Sequence, residues 1–212
     1  MTSPHRRRSI DSSSEQTEKL KGDDISSRGA QSPFPNTEHH ELPPSYTPQT
    51  AGQHQVPPSG YRLPLSTSGS PFPGIDRTRE APFTDADGKS PVFIGSALMQ
   101  YSVHPCKIAP NLRSPCCVPY GGGEFAHQGR YDLLPFVPEQ MEFVQTSHGH
   151  IPPGRRPVKG GFENTGAELY HGVADINGVK VPGKTGTHLG GCNVAFGGKE
   201  HVVKENYGIL YD

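Results

Sequence analysis

Tryptophan is absent from this chain of 212 residues, methionine occurs only 3 times, and hydrophobic residues make up only 31% of the sequence. Glycine and proline are abundant instead, with 26 and 23 residues. Because ordering one residue costs about 1–2 kcal/mol of backbone entropy, so little apolar surface cannot fold the whole chain into one core. We therefore expect a folded part and a disordered part.

Long apolar runs are missing as well. No stretch approaches the roughly 20 apolar residues of a membrane-spanning helix, and the basic N-terminal segment lacks the apolar centre of a signal peptide. The sequence thus predicts no membrane span and a cytoplasmic location. The formal net charge of −1 does not favour nucleic acid or an anionic membrane as a partner.

Cysteine is scarce, with four residues whose spacing fits neither a zinc knuckle nor a disulfide framework. We predict that all four are reduced and buried, and that the protein holds no metal ion and no other cofactor. No Ser-His-Asp or Cys-His set can be defended from the sequence, so we do not expect an enzyme. These cysteines are Cys106, Cys116, Cys117 and Cys192.

Residues 1–80 are rich in serine, proline, glutamine and glycine and show no helical or strand period, which predicts a disordered tail. Within it, Leu42 precedes Pro43-Pro44-Ser45-Tyr46, which matches the PPxY ligand of WW domains. Two prolines preform a polyproline II turn, and Tyr46 would fill an aromatic-lined pocket. One hypothesis is therefore an intracellular adaptor that recruits a WW-domain protein.

From about residue 81 onward the sequence is typical of β-structure. Period-two alternation is clearest over residues 167–174, and Asn177-Gly178 between short apolar pieces predicts a two-residue hairpin. Pro182-Gly183 is expected to end the returning strand. No window has a convincing 3.6-residue period, so the prediction is an all-β fold. The predicted strands are 91–99, 116–120, 131–134, 167–174, 179–181, 192–196, 201–203 and 207–211.

The folded part contains an internal repeat. A repeat with matching turn glycines and apolar positions predicts two pseudosymmetric antiparallel β repeats that pack together, residues 81–136 and 158–212, joined by a connector over residues 137–157. At an offset of 77 or 76 residues, the matches include Gly95 with Gly172, Pro105 with Pro182, Lys107 with Lys184, Cys116 with Cys192, Tyr120 with Phe196, and Glu124 with Glu200.

Two residue types in this repeat suggest a ligand site. Lys184 lies in a Pro-Gly-Lys segment, and Lys107 recurs at the same place in the first repeat. Glu163 follows a glycine pair and Phe162. A carboxylate that accepts and an ammonium that donates suit the vicinal hydroxyls of a neutral polyol. Such a site binds weakly by itself, and two sites or a homo-oligomer would strengthen binding through avidity.

The second repeat resembles the DM-nine repeat family, and the resemblance covers about residues 85–212. It implies paired all-β repeats that exchange strands. Invertebrate members of that family include mannose-specific lectins that act in pattern recognition, and others that respond to infection inside cells. The segments that carry the resemblance are Val158-Lys159-Gly160-Gly161, Gly172-Val173-Ala174, Pro182-Gly183-Lys184, Gly198-Lys199-Glu200-His201 and Tyr207-Gly208-Ile209-Leu210.

The resemblance implies a mannose-type carbohydrate-binding module whose partner is a mannose-containing glycan. In the family, the sugar site uses the acidic residue after the Gly-Gly-aromatic turn and the lysine of Pro-Gly-Lys, which are Glu163 and Lys184 here. The first repeat keeps Lys107 but lacks the glycine turn, so Asp85 is the candidate acidic residue there. Gly123 also replaces the lysine found at Lys199. We expect one good site and one degraded site.

Overall fold

The computed structural model describes residues 60–69 and 71–212 of the chain. The predicted WW-ligand residues Pro43, Pro44 and Tyr46 lie outside the described residues. Within them the fold is all-β, as predicted. The elements are β1 Leu63–Ser66, α1 Ile75–Thr78, β2 Phe83–Thr84, β3 Pro91–Leu98, β4 Val103–Ile108, β5 Cys116–Tyr120, β6 Gly123–Ala126, β7 Arg130–Leu134, β8 Glu142–Thr146, β9 Lys159–Phe162, β10 Glu168–Ile176, β11 Val179–Thr185, β12 Cys192–Phe196, β13 Lys199–Val203 and β14 Tyr207–Tyr211.

The strand order confirms the predicted repeat. The sheet runs β1-β7-β3-β4-β5-β6-β13-β12-β11-β10-β14-β8, so the second half repeats the first in reverse order. All of these neighbouring strands pair antiparallel. Each half has its own apolar cluster, one around Ile108 and Leu133 and one around Val194 and Ile209. Each repeat therefore has an apolar cluster of its own within one continuous sheet.

The folded part begins before the predicted boundary at residue 81. Strand β1 pairs with β7, and Leu63 is buried in the first apolar cluster. The predicted connector 137–157 likewise contains strand β8, which pairs with β14. Both strands lie at the ends of the sheet, where they pair with the outer strand of each repeat. Their sequences are short and only partly apolar, which is why no strand was predicted for either.

The turn prediction at Asn177-Gly178 is confirmed, because both residues have positive φ, 54° and 86°. The predicted break at Pro182-Gly183 is wrong. Strand β11 continues through this pair to Thr185, with Gly183 opposite Gly172. A Cβ atom on Gly183 would lie 2.1 Å from the carbonyl oxygen of Asn193. The glycine thus serves the close approach of β12 and does not end the strand.

Strand pairing and apolar packing both join the two repeats. At the hairpin tips, Lys199 pairs with Gly123. Strand β9 pairs with β10 of its own repeat and, at Phe162, with Val103 of β4 in the first repeat. A third apolar cluster, which contains the equivalent residues Leu134 and Leu210, includes residues of both repeats. The exchange of β9 matters most for the site, because it brings the residue after β9 to the first repeat.

The four cysteines are free and buried, as the sequence predicted. Sγ of Cys106 lies 3.5 Å from Sγ of Cys116 in the first core, and burial raises the pKa of the Cys192 thiol. Among the residues described, none forms a helix long and apolar enough to cross a membrane.

Candidate functional site

The predicted lysine of the second repeat, Lys184, is almost completely buried, with 4% of its surface exposed. It lies within β11, where its side chain faces the first repeat. Its Nζ donates to Nδ1 of His104 at 3.2 Å and to Oε1 of Glu163 at 3.4 Å. A buried ammonium is tolerated only where it is paired and hydrogen-bonded, and these two partners supply both conditions. We call Lys184, Glu163, His104 and Tyr120 the Lys184 centre.

Both repeats contribute to the Lys184 centre. His104 lies on β4 and Tyr120 ends β5, so both belong to the first repeat. The Tyr120 ring covers Nζ of Lys184, with the ring centroid 5.4 Å away, and it packs edge-to-face against His104 at 5.3 Å. Tyr120 is 45% exposed, so its ring borders both solvent and the buried ammonium. The centre therefore exists only when the two repeats are assembled.

Glu163 owes its place to the chain turn that follows β9. Its backbone N–H donates to the carbonyl of Ala167, and Gly166 with φ 84° closes the turn. Two residues before it, Gly161 lies so close to β4 that a Cβ atom there would be 1.9 Å from the carbonyl oxygen of Val103. The glycine pair of the sequence motif thus allows β9 to lie against β4, which brings Glu163 beside His104.

His104 is neutral at ordinary pH. Burial is the main cause that lowers its pKa to about 4, the Lys184 ammonium lowers it further, and the Glu163 and Glu200 carboxylates oppose the shift. Because Nδ1 accepts from Lys184, the remaining proton is on Nε2, which lies 3.0 Å from Oγ of Ser102 and 3.6 Å from Oε2 of Glu163. The ring therefore orients the lysine without adding charge.

We call Lys107, Glu124 and Phe196 the Lys107 centre, and its arrangement differs from that of the Lys184 centre. Nζ of Lys107 lies 2.7 Å from Oε1 of Glu124, and the Phe196 ring of the second repeat lies 5.8 Å from that ammonium. The predicted partner Asp85 is used elsewhere, since its Oδ1 accepts the backbone N–H of Ala86 in the turn after β2. The structure thus brings Glu163 and Lys184 together, as predicted, but pairs Lys107 with Glu124 instead of Asp85.

Four residues of the two centres were not singled out from the sequence. These residues are His104, Tyr120, Glu124 and Phe196, and the repeat alignment offered a usable signal for three of them, since it matched Tyr120 with Phe196 and Glu124 with Glu200. His104 offers no such signal. Its equivalent in the second repeat is Val181, and its contact with Lys184 spans 80 positions of the chain.

We expect the protein to lose stability when the pH falls from about 6.5 toward 4, and His104 to contribute to the loss. Its folded-state pKa of about 4 lies below the ordinary value of 6.5. Between these values the unfolded chain binds a proton that the folded chain does not, so the free energy of unfolding decreases as the pH decreases. His171, whose pKa is also lowered by burial and by Arg62, acts in the same direction.

Urea unfolding at pH 7, 5.5 and 4.5 measures this slope. We expect a smaller slope in His104→Gln than in the wild type. His148→Gln is the matched control, because it makes the same substitution at a ring that is 64% exposed. Equal slopes in His104→Gln and the wild type would show that this histidine binds protons equally in the folded and unfolded chain, which contradicts a lowered pKa.

Comparison with solved structures supports the fold. The crystal structure of the nematode sperm cell motility protein MFP2B matches with a TM-score of 0.50 and 15% sequence identity, over 77% of this chain and 49% of that chain. This chain therefore spans about half the length of that relative, and at such low identity the likeness shows the fold alone.

Comparison with curated proteins gives no match. The DM9 repeat family matches residues 85–203, which is more than half of the chain and includes every residue of the Lys184 and Lys107 centres. The match begins before β3 and ends at the last residue of β13, so it extends over both repeats. On this evidence, the chain belongs to the DM9 repeat family.

Proposed function

We propose that this protein binds carbohydrate of the mannose type through the Lys184 centre. The observation that carries the proposal is the pairing of Lys184 with Glu163 at 3.4 Å, at a junction that both repeats form. A strong donor and a strong acceptor at this separation match two neighbouring hydroxyls of a pyranose.

The charges of the centre favour a neutral ligand. Lys184 and Glu163 offset each other, and His104 is uncharged at neutral pH. An anionic or a cationic ligand would leave one charge unbalanced in a site that is largely shielded from water. A sugar hydroxyl can accept from the ammonium and donate to the carboxylate, so it fits the pair without a net charge.

The access to the centre is also suitable. The Glu163 side chain is 20% exposed, and the hydrogen bonds of Lys184 to the described residues use two of its three donor hydrogens. The exposed part of the Tyr120 ring offers an apolar surface for the C–H groups of a sugar.

We also propose that this recognition takes place in the cytoplasm, in the response of a cell to stress or infection.

Isothermal titration calorimetry of the full chain with mannose and mannose oligosaccharides tests the proposal. Charge-assisted hydrogen bonds contribute about 1.5–3 kcal/mol each, so two of them predict a Kd of roughly a millimolar. We expect saturable heat with one site per chain, and weaker binding in Glu163→Gln, which keeps the shape and removes the charge. The absence of heat at millimolar sugar would contradict the proposal. Avidity in a homo-oligomer would strengthen binding to a branched glycan.

The second candidate function rests on the Leu42-Pro43-Pro44-Ser45-Tyr46 motif. We propose that it recruits a WW-domain protein, which makes the chain an adaptor between a glycan and that partner. Capture of the full chain on an immobilised WW domain should disappear in Tyr46→Ala and persist in Ser45→Ala. Equal capture of wild type and Tyr46→Ala would rule the motif out.

A further inference from the structure

The two lysine centres are built on the same strand register. Lys107 lies opposite Cys117, and Lys184 lies opposite Asn193. In each repeat, the strand that follows carries a glutamate, and this glutamate lies opposite the residue two positions after Cys117 or Asn193. Glu124 lies opposite Pro119, and Glu200 lies opposite Ala195. Side chains two positions apart on a strand share a face, so each glutamate has the same approach to the lysine of its repeat.

The two glutamates nevertheless have different partners. Oε1 of Glu124 binds the Lys107 ammonium at 2.7 Å. Oε1 of Glu200 instead accepts from Nδ2 of Asn193 at 2.9 Å. The second oxygen of each carboxylate is used alike in both repeats, since Glu124 accepts from the N–H of Gly198 and Glu200 from the N–H of Gly122. The difference is therefore confined to one carboxylate oxygen.

The residue opposite the lysine explains the difference. An asparagine amide is a good donor to a carboxylate, whereas a thiol is a weak one. In the first repeat the Cys117 thiol lies beside Glu124, and its pKa is raised to about 12, first by burial and then by the Glu124 carboxylate. The thiol interacts with Glu124 only as a weak donor, after the Lys107 ammonium in its effect on that carboxylate, so Oε1 of Glu124 stays paired with Lys107. In the second repeat the Asn193 amide takes Oε1 of Glu200, and Lys184 pairs with Glu163.

We propose that Asn193 is a positioning residue that keeps the Lys184 centre open, because its amide holds Glu200 away from Lys184. The effect of Asn193 on ligand binding rests on the proposed carbohydrate function of the centre. Without the amide, the Glu200 carboxylate would form an ion pair with Lys184, as Glu124 does with Lys107. The lysine would then carry two carboxylates, and its remaining donor would no longer be available to a sugar hydroxyl.

The substitution Asn193→Cys tests this by giving the second repeat the residue of the first. Because the first repeat already folds with cysteine at this position, the variant is expected to fold. NMR titration of the His104 ring needs no ligand. Glu200 already raises the pKa of His104, so its movement toward Lys184 should raise that pKa further in the variant. An unchanged His104 titration would overturn the proposal.

Mannose titration of the same variant gives the functional result. We expect affinity at least about tenfold weaker in Asn193→Cys and restored in Asn193→Cys combined with Glu200→Gln, because the neutral amide no longer competes for Lys184. A merely structural role for Asn193 predicts weak binding in both variants, and that outcome would overturn the proposal. If the wild type binds no mannose, the carbohydrate function fails, while the His104 titration still decides the role of Asn193.

Discussion

Replacing Glu124 by alanine is expected to lower the free energy of unfolding by about 3 kcal/mol. The change removes the carboxylate that lies 2.7 Å from Nζ of Lys107, and Lys107 is only 4% exposed. A buried ammonium without a partner is costly, although an intact buried pair adds little by itself. The N–H of Gly198 loses its acceptor as well. Burial alone would raise the pKa of Glu124, but the hydrogen bond from Lys107 and the Gly198 N–H outweigh it and lower that pKa.

Urea unfolding of the full chain at pH 7 measures this effect. Glu205→Ala is the matched control, because its carboxylate is 67% exposed in its pair with His148, and it should change the free energy of unfolding by less than about 0.5 kcal/mol. The double variant Lys107→Met with Glu124→Leu should recover most of the loss, since neither charge then remains buried. A Glu124→Ala variant as stable as the wild type would show that Lys107 finds another anion or reaches solvent.

Replacing Gly161 by alanine is expected to lower the free energy of unfolding by about 3 kcal/mol or more. A Cβ atom at this position would lie 1.9 Å from the carbonyl oxygen of Val103, and the φ of 154° is itself unfavourable for alanine. The only relief is a displacement of β9 from β4. Because Glu163 follows β9 directly, the variant should also lose the contact of Glu163 with Lys184 and His104.

Thermal unfolding and mannose titration of Gly161→Ala test both consequences together. Gly123→Ala is the matched control on β6. Its nearest contact would be the carbonyl oxygen of Tyr120 at 3.9 Å, and the φ of Gly123 is not positive, so we expect little change. Wild-type stability in Gly161→Ala would mean that β9 does not lie against β4 as closely as the structure shows.

The sequence predicted those parts of the fold that local patterns specify. Period-two alternation located the strand around Leu169, and Asn177-Gly178 identified its hairpin, since positive φ at both positions restricts the residue type. The repeat alignment predicted the pseudosymmetry. It also placed Lys107 and Lys184 at equivalent positions, which the shared register confirms.

The remaining features depend on contacts that no local pattern encodes. Strand β1 reads as part of a polar tail, because only the pairing with β7 shows that Leu63 is buried. Proline and glycine at residues 182 and 183 locally predict a strand end, although the glycine serves close packing against β12. His104 joins Lys184 only through the assembly of the two repeats. Asp85 was a reasonable candidate by chemistry, but its own turn uses its carboxylate.

We propose that the Lys184 centre, and not the equivalent Lys107 centre of the other repeat, binds the ligand. Calorimetric titration of the full chain with mannose tests it most directly in two matched variants, Lys184→Met and Lys107→Met. Both lysines are 4% exposed and lie at equivalent positions, so the two changes disturb the fold to a similar extent. We predict that Lys184→Met abolishes saturable binding and that Lys107→Met retains it. Loss of binding in Lys107→Met with binding retained in Lys184→Met would contradict the account.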